Sequence, residues 1–388
     1  MKIHEGVQKR HQEMTNWRRL LHSQPELAFH EKWTSDFVAD KLESFGLSIH
    51  RGFAGTGVVA TLKNGEGPSI GLRADMDALP LMEKNRFEHR SQNEGKMHAC
   101  GHDGHTTMLL GAAAELAESP NFRGTVHFIF QPAEEGGGGG NVMVREGLFE
   151  KFPVDAVYGM HNWPGMEPGE IGVLTGPVLA ANDAFDLEIL GKGGHAAMPD
   201  LSIDPILTAS QAVVALQSLV SRSINPLEAA VVTVTQIHAG DAYNVIPDSV
   251  KLCGSIRTFK SEIRENVHAG MKRIAEGVAA GFGAKAELKI KQGYPAAINS
   301  VEESRRAASA ATKVIGKEKV ILDALPSTGS EDFSYMLQAR PGCYIWLGNG
   351  NRGGGCLLHN PHYDFNDEIL PIGTSYWISL VEQELPLT

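Results

Sequence analysis

Apolar positions recur along this chain at two periods. Residues 6–22 and 31–45 carry them at helical spacing. In the second stretch Trp33, Phe37, Val38, Leu42 and Phe45 recur together, and Gly46 follows as a stop. Residues 58–62 and 69–72 are short apolar runs of strand length, with the turn pairs Asn64-Gly65 and Gly67-Pro68 between them. Residues 106–118 are helical in pattern and end before Pro120, and 125–130 and 156–160 read as strands. Strands alternating with helices predict an α/β layered domain.

From about residue 183 the order changes. Strand signals at 184–190, 230–238, 250–258 and 286–291 alternate with helices at 204–220 and 262–282. This β-α-β-β-α-β order is that of a ferredoxin-like unit. It predicts an insert over 183–295 in a first domain made of 1–182 and 296–388. That domain resumes with a helix near 301–315, a strand at 343–347 and a last helix near 367–384.

Composition narrows the class. Of 388 residues, 42% are hydrophobic and 21% charged, which excludes a disordered chain and supplies cores for two domains. Acidic residues outnumber basic ones, 46 to 35, and no basic stripe is present, which argues against nucleic acid. The first 22 residues are polar, unlike a signal peptide, and the best apolar run, 108–114, stops at Glu115, far short of a membrane span. Cys100, Cys253, Cys343 and Cys356 lack redox or zinc-finger spacing. They predict a reducing, cytoplasmic setting.

The ionisable residues then fall in clusters just after predicted strands, where open α/β sheets place their sites. Asp75 and Asp77 follow the strand at 69–72, as metal ligands or as turn formers. His98, Cys100 and His102 alternate before a helix. An extended segment would present all three on one side, and Cys and His are preferred ligands of zinc-like ions. Asp103 there is equally a helix N-cap. Glu134 and Glu135 follow an apolar strand, and Pro132 allows both to converge only where that strand has ended. One carboxylate can bind metal while the other moves protons. Five glycines follow at 136–140. No Walker A register accompanies them, so they serve close backbone approach to the acids. His161 and His359 sit in the fourth and fifth clusters, where a lone His is more often structural than ligating.

The motifs RADMDALP, MHACGHDGHT, QPAEEGGGG, GMHNWPG, GKGGHAAMP, YNVIPD, GSEDFS and LHNPHYDFND occur in this order. In them the chain resembles the metallopeptidase superfamily of aminoacylase-1 and the glutamate carboxypeptidases. The branch it most resembles holds hippurate hydrolases, N-acyl-amino-acid amidohydrolases and auxin-conjugate hydrolases. The resemblance implies an α/β/α catalytic domain of zinc-peptidase type with an inserted ferredoxin-like dimerisation and lid domain, hinged near 182 and 295. It implies two divalent ions per subunit (Zn, Mn, Co or Ni) on Cys100, His102, Glu135, His161 and His359. Glu134 is implied as general base, Asp77 as an orienting acid, and His195 as an oxyanion donor reaching across a homodimer. Asn244, Arg257 and Gly329 are implied to bind substrate. Asp75 stands where much of the superfamily has a metal-binding His, with Cys100 supplying the ligand instead. The implied activity is hydrolysis of an N-acyl or N-aroyl amino acid, a small-molecule substrate. A dipeptidase, a diaminopimelate-pathway deacylase and a catalytically inactive binding protein on the same fold are the alternatives, and tetramerisation is left open.

Overall fold

The computed structural model describes residues 1–350 and 356–387. The chain forms two compact units. One comprises Met1–Val178, Ile298–Leu325 and Asp332–Thr388, and the other Leu179–Ala297 with Pro326–Glu331. The loop 326–331, placed with the flanking domain by sequence, packs with the second unit. Ala180 N–H donates to the carbonyls of Ser327 and Gly329 at 3.1 and 2.9 Å and ties it there.

The first unit is built on an eight-stranded mixed sheet. Its order is Ser48–Phe53, Gly57–Asn64, Gly124–Gln131, Ser69–Asp75, Ala156–Pro164, Gly342–Gly350, Ile171–Gly172 and Val320–Ile321. The strands at 57–64 and 69–75 are not neighbours. Gly124–Gln131 lies between them, antiparallel to the first and parallel to the second. Four central strands are parallel, and all nine residues of Gly342–Gly350 are buried. Such strands read as continuous apolar runs because helices cover both faces. Ala156–Pro164 runs four residues past the expected end, because Gly342–Gly350 pairs with it as far as Pro164. His161 is therefore in the strand rather than after it.

Helix His102–Glu118 starts earlier than its apolar pattern suggests, and Gly101 precedes it at φ 92°, a conformation glycine adopts readily. Asp103 is not the cap. Its carboxylate accepts from His22 Nδ1 at 2.8 Å and lies 3.7 Å from Arg18, both on helix Glu5–Ser23. Arg18 is itself buried and bonds Asp364 and Asp367 at 2.9 and 2.6 Å. The glycine run is partly helical, over Gly139–Arg145, and a Cβ at Gly139 would lie 1.8 Å from the Pro132 carbonyl. The helix Phe333–Ala339 was likewise not visible in the sequence pattern.

The second unit has a four-stranded antiparallel sheet ordered Ala230–His238, Ser249–Thr258, Ala181–Leu190, Lys285–Gln292. Helices Pro205–Ser218 and Ser261–Gly281 pack on it and on each other. Ala181–Leu190 alternates buried and more exposed positions, as expected for a sheet covered on one face. Asp204 caps the first helix through the N–H of Ile206 at 2.8 Å. No helix among the described residues is long and apolar enough to cross a membrane.

Burial opposes a charged His22, but hydrogen bonds to Asp103 and Glu83 outweigh it and raise the ring to about 9 from its ordinary 6.5. A raised imidazolium contributes stability in full below pH 6.5, and that contribution is lost as pH rises through about 9. Thermal melts from pH 6 to 10 are expected to show this decline, and His22→Gln to flatten it. An equal decline in both proteins would refute the assignment.

Candidate active site

The parallel strands bring the acids together at their carboxyl ends. Asp75 pairs with Gln131 across the sheet, so the segments that follow, through Asp77 and Glu134, emerge side by side. The strand ends at Gln131, and Ala133 turns the chain at φ 56°. Glu134 and Glu135 both escape strand alternation in this way. Their amide N–H groups donate to the two oxygens of Asp77, at 3.0 and 2.9 Å.

Asp77 also fixes His102. The ring donates from Nδ1 to the Asp77 carbonyl at 2.9 Å, and the carboxylate lies 3.3 Å from the same nitrogen. A carbonyl can only accept, so Nδ1 carries the proton and Nε2 is left for another partner. Nε2 is buried and makes no hydrogen bond among the described residues. His161 is set in the same way, donating from Nδ1 to the Asn162 carbonyl at 2.7 Å, with Nε2 3.4 Å from Cys100 Sγ. His359, at φ 63°, is exposed, and its Nε2 is 3.2 Å from Glu135.

These donors form overlapping groups, each within 4.8 Å: Cys100, His102 and His161; Cys100, Glu135 and His359; His102, Glu134 and Glu135. Two buried imidazoles whose Nδ1 protons are committed to carbonyls, with a thiol and carboxylates, fit a dinuclear divalent centre. Electrostatics agree. Burial opposes charge on His102, yet Asp75, Asp77 and Glu135 raise it to about 10, so this spot attracts a cation. Burial, with Glu135 and Glu134 beside it, pushes the Cys100 thiol well up, which a bound cation would reverse.

Not every sequence candidate joins. Of the three alternating residues Cys100 and His102 converge, across a left-handed Gly101, and His98 does not join them. His98 is buried, outside the groups, with neither ring nitrogen hydrogen-bonded among the described residues. Asp75 is already engaged by Arg73 Nη1 at 2.7 Å and His105 Nδ1 at 2.6 Å, although one oxygen lies 3.8 Å from His102. In the second unit His195 is exposed on the short strand Gly194–His195, paired with Val245–Ile246, and Asn244 is exposed beside it. Arg257 is half-buried, donates to Ser330 Oγ at 3.3 Å and has no ion pair among the described residues. The N–H of Gly329 donates to Ser327 Oγ at 3.0 Å, so in this conformation it is not open to a substrate.

Other residues of the site carried weaker signals. His105 bonds Asp75 and Asn162, and Asn162 bonds Tyr363. Buried Arg73 also reaches Gln131 and Asp332, and Asp332 accepts the N–H of Gly140 at 2.7 Å. An arginine opening an acid-rich strand end was the available clue to that network. Trp163 lies edge-on to His161 and stacks on buried Trp346, with centroids 4.0 Å apart.

Residues 71–383 match the family model described as Peptidase family M20/M25/M40, and the chain belongs to that family. It is similar to a hippurate hydrolase of Campylobacter jejuni, 40% identical over 94% of each chain. An N-acyl-L-amino acid amidohydrolase of Geobacillus stearothermophilus is 45% identical over 75% of this chain and 79% of its own. Among solved structures, the Bacillus subtilis YXEP protein, a dinuclear metal-binding peptidase of the M20 family, superposes with a TM-score of 0.85. It is 36% identical, and 96% of this chain and 98% of that one are covered. A structure from methicillin resistant Staphylococcus aureus gives a TM-score of 0.92 at 32% identity, over 98% of both chains.

The cluster makes a specific prediction about metal. In chelator competition, Cys100→Ser is expected to weaken retention at least about tenfold, with the fold intact by circular dichroism. Cys253→Ser, in the other unit, serves as the control. Equal retention in the two variants would remove Cys100 from the centre.

Proposed function

We propose that the chain hydrolyses the amide bond of N-acyl or N-aroyl amino acids, giving a carboxylic acid and a free amino acid. The observation that carries this is the buried donor set around His102, with Glu134 beside it in the first unit. In this reading Cys100, His102, Glu135, His161 and His359 hold two divalent ions. When bound, these supply Lewis acidity and lower the pKa of water. Glu134 takes a proton from the attacking water and passes it to the leaving nitrogen, which a neutral amine requires. Asp77 keeps Glu134, Glu135 and His102 in place through their N–H groups. The free carboxylate of the substrate goes to Arg257, whose guanidinium lacks an ion pair among the described residues, with Asn244 as a further contact. Gly329 would donate to the same carboxylate only after releasing Ser327. The partly exposed Trp163 ring beside His161 suits an aromatic acyl group.

Glu134→Gln keeps the shape of the side chain and loses the base. It is expected to lower kcat on benzoylglycine by at least about a thousandfold while metal binding persists. Acetylglycine and a dipeptide with a free amine complete the panel, and benzoylglycine is expected to be the best substrate. Undiminished turnover by Glu134→Gln would sink the mechanism, and preference for the dipeptide would make the enzyme a dipeptidase.

The second unit is read as a ferredoxin-like dimerisation and lid domain, a reading its sheet order supports. One of its two edge strands, Ala230–His238, pairs on one side only among the described residues, and Val231 and Ile237 are exposed on it. Val214 on the neighbouring helix is 68% exposed. An open edge with apolar side chains suits pairing with a second copy about a two-fold axis. His195 would then serve the partner's site as an oxyanion donor. Mixing inactive His195→Ala with inactive Glu134→Gln tests this. Subunit exchange is expected to restore about a quarter of wild-type activity, one complete site in each hybrid dimer. No recovery despite verified exchange would place His195 in its own subunit's site or in none.

A further inference from the structure

The turn bearing Glu134 and Glu135 is held through its backbone, and one of the groups holding it has no part in the chemistry above. Glu31, the residue before helix Lys32–Ser44, is fully buried. Its Oε1 accepts from Ala133 N–H at 2.9 Å and Phe29 N–H at 3.0 Å, and its Oε2 accepts from Thr56 Oγ1 at 2.7 Å. Ala133 sits at φ 56°, in the left-handed region that alanine seldom occupies. The next two N–H groups go to Asp77. Three successive amides of one turn are therefore captured by two buried carboxylates, and buried amides need such partners.

We propose that Glu31 is a positioning residue for Glu134. By taking the Ala133 N–H it holds Ala133 left-handed, and so sets the direction in which the Glu134 and Glu135 side chains leave the turn. This rests on the reading of Glu134 as the base. The three groups that bond Glu31 are two amides and a hydroxyl, so acceptor geometry matters more than charge. Glutamine keeps the acceptor, and its –NH2 can donate to the Thr56 hydroxyl. Aspartate keeps the charge but is one methylene too short. Glycine at position 133 adopts a positive φ unaided.

The test measures kcat and KM on benzoylglycine, together with zinc affinity by chelator competition. In Glu31→Ala, kcat is expected to fall about a hundredfold with KM within about threefold, since a small misplacement of a reacting group costs that much. Zinc affinity should fall as well, because Glu135 rides on the same turn. Glu31→Gln should retain at least about a third of kcat, and the double variant Glu31→Ala/Ala133→Gly should recover about tenfold over Glu31→Ala. If Glu31→Ala does not fold, Glu31→Asp takes its place with the same expectation. The proposal is overturned if the shortened variant keeps kcat within about threefold of wild type. It is also overturned if Asp works and Gln does not, or if Ala133→Gly restores nothing. A wild-type protein without turnover would instead overturn the reading of Glu134.

Discussion

Asp77 is the constraint on which the site depends. Its two carboxylate oxygens receive the consecutive N–H groups of Glu134 and Glu135, and its carbonyl receives His102 Nδ1. One buried residue thereby fixes the proposed base, a proposed metal ligand and the tautomer of a second ligand. It can do so because Ser69–Asp75 and Gly124–Gln131 are adjacent parallel strands in register, so the segments after their ends meet. The tertiary pairing places the turns, and the turns place the side chains.

The same end of the sheet concentrates buried acids, and the structure answers each with a cation or with amides. Arg73 and His105 hold Asp75, Arg73 and Gln131 hold Asp332, and Arg18 and His22 hold Asp103. Around His102 several acids converge on one buried ring, whose Nε2 lies 3.8 Å from Asp75 and makes no hydrogen bond among the described residues. Concentrated negative charge in a low-dielectric interior favours a cation that fits, and these donors suit a divalent one. The energetics of burial and the proposed chemistry therefore point to the same occupant.

Much of this was legible in the sequence for physical reasons. Continuous apolar runs marked the buried parallel strands, and the acids, histidines and cysteine at their ends marked the site. What escaped depended on the third dimension. Residues 57–64 and 69–75 look like consecutive strands, yet a strand some fifty residues later lies between them. The alternation of His98, Cys100 and His102 suggested one shared face, yet only Cys100 and His102 meet, and His102 already opens a helix. Glu31 gave no signal, since an acid before a helix is ordinary and its partner Ala133 lies 102 residues away. His195, Asn244, Arg257 and Gly329 were singled out through resemblance, because a short exposed turn and a half-buried arginine have no distinctive pattern of their own.

The dinuclear centre is tested most directly by following metal and turnover in one titration. Protein stripped by chelator is reloaded stepwise with zinc or manganese, and bound metal and benzoylglycine hydrolysis are measured at each step. No hydrolysis is expected in the stripped protein, and full activity as bound metal approaches two per chain. Full hydrolysis by the metal-free chain, or saturation with no metal at Cys100, His102 and His161, would contradict this expectation.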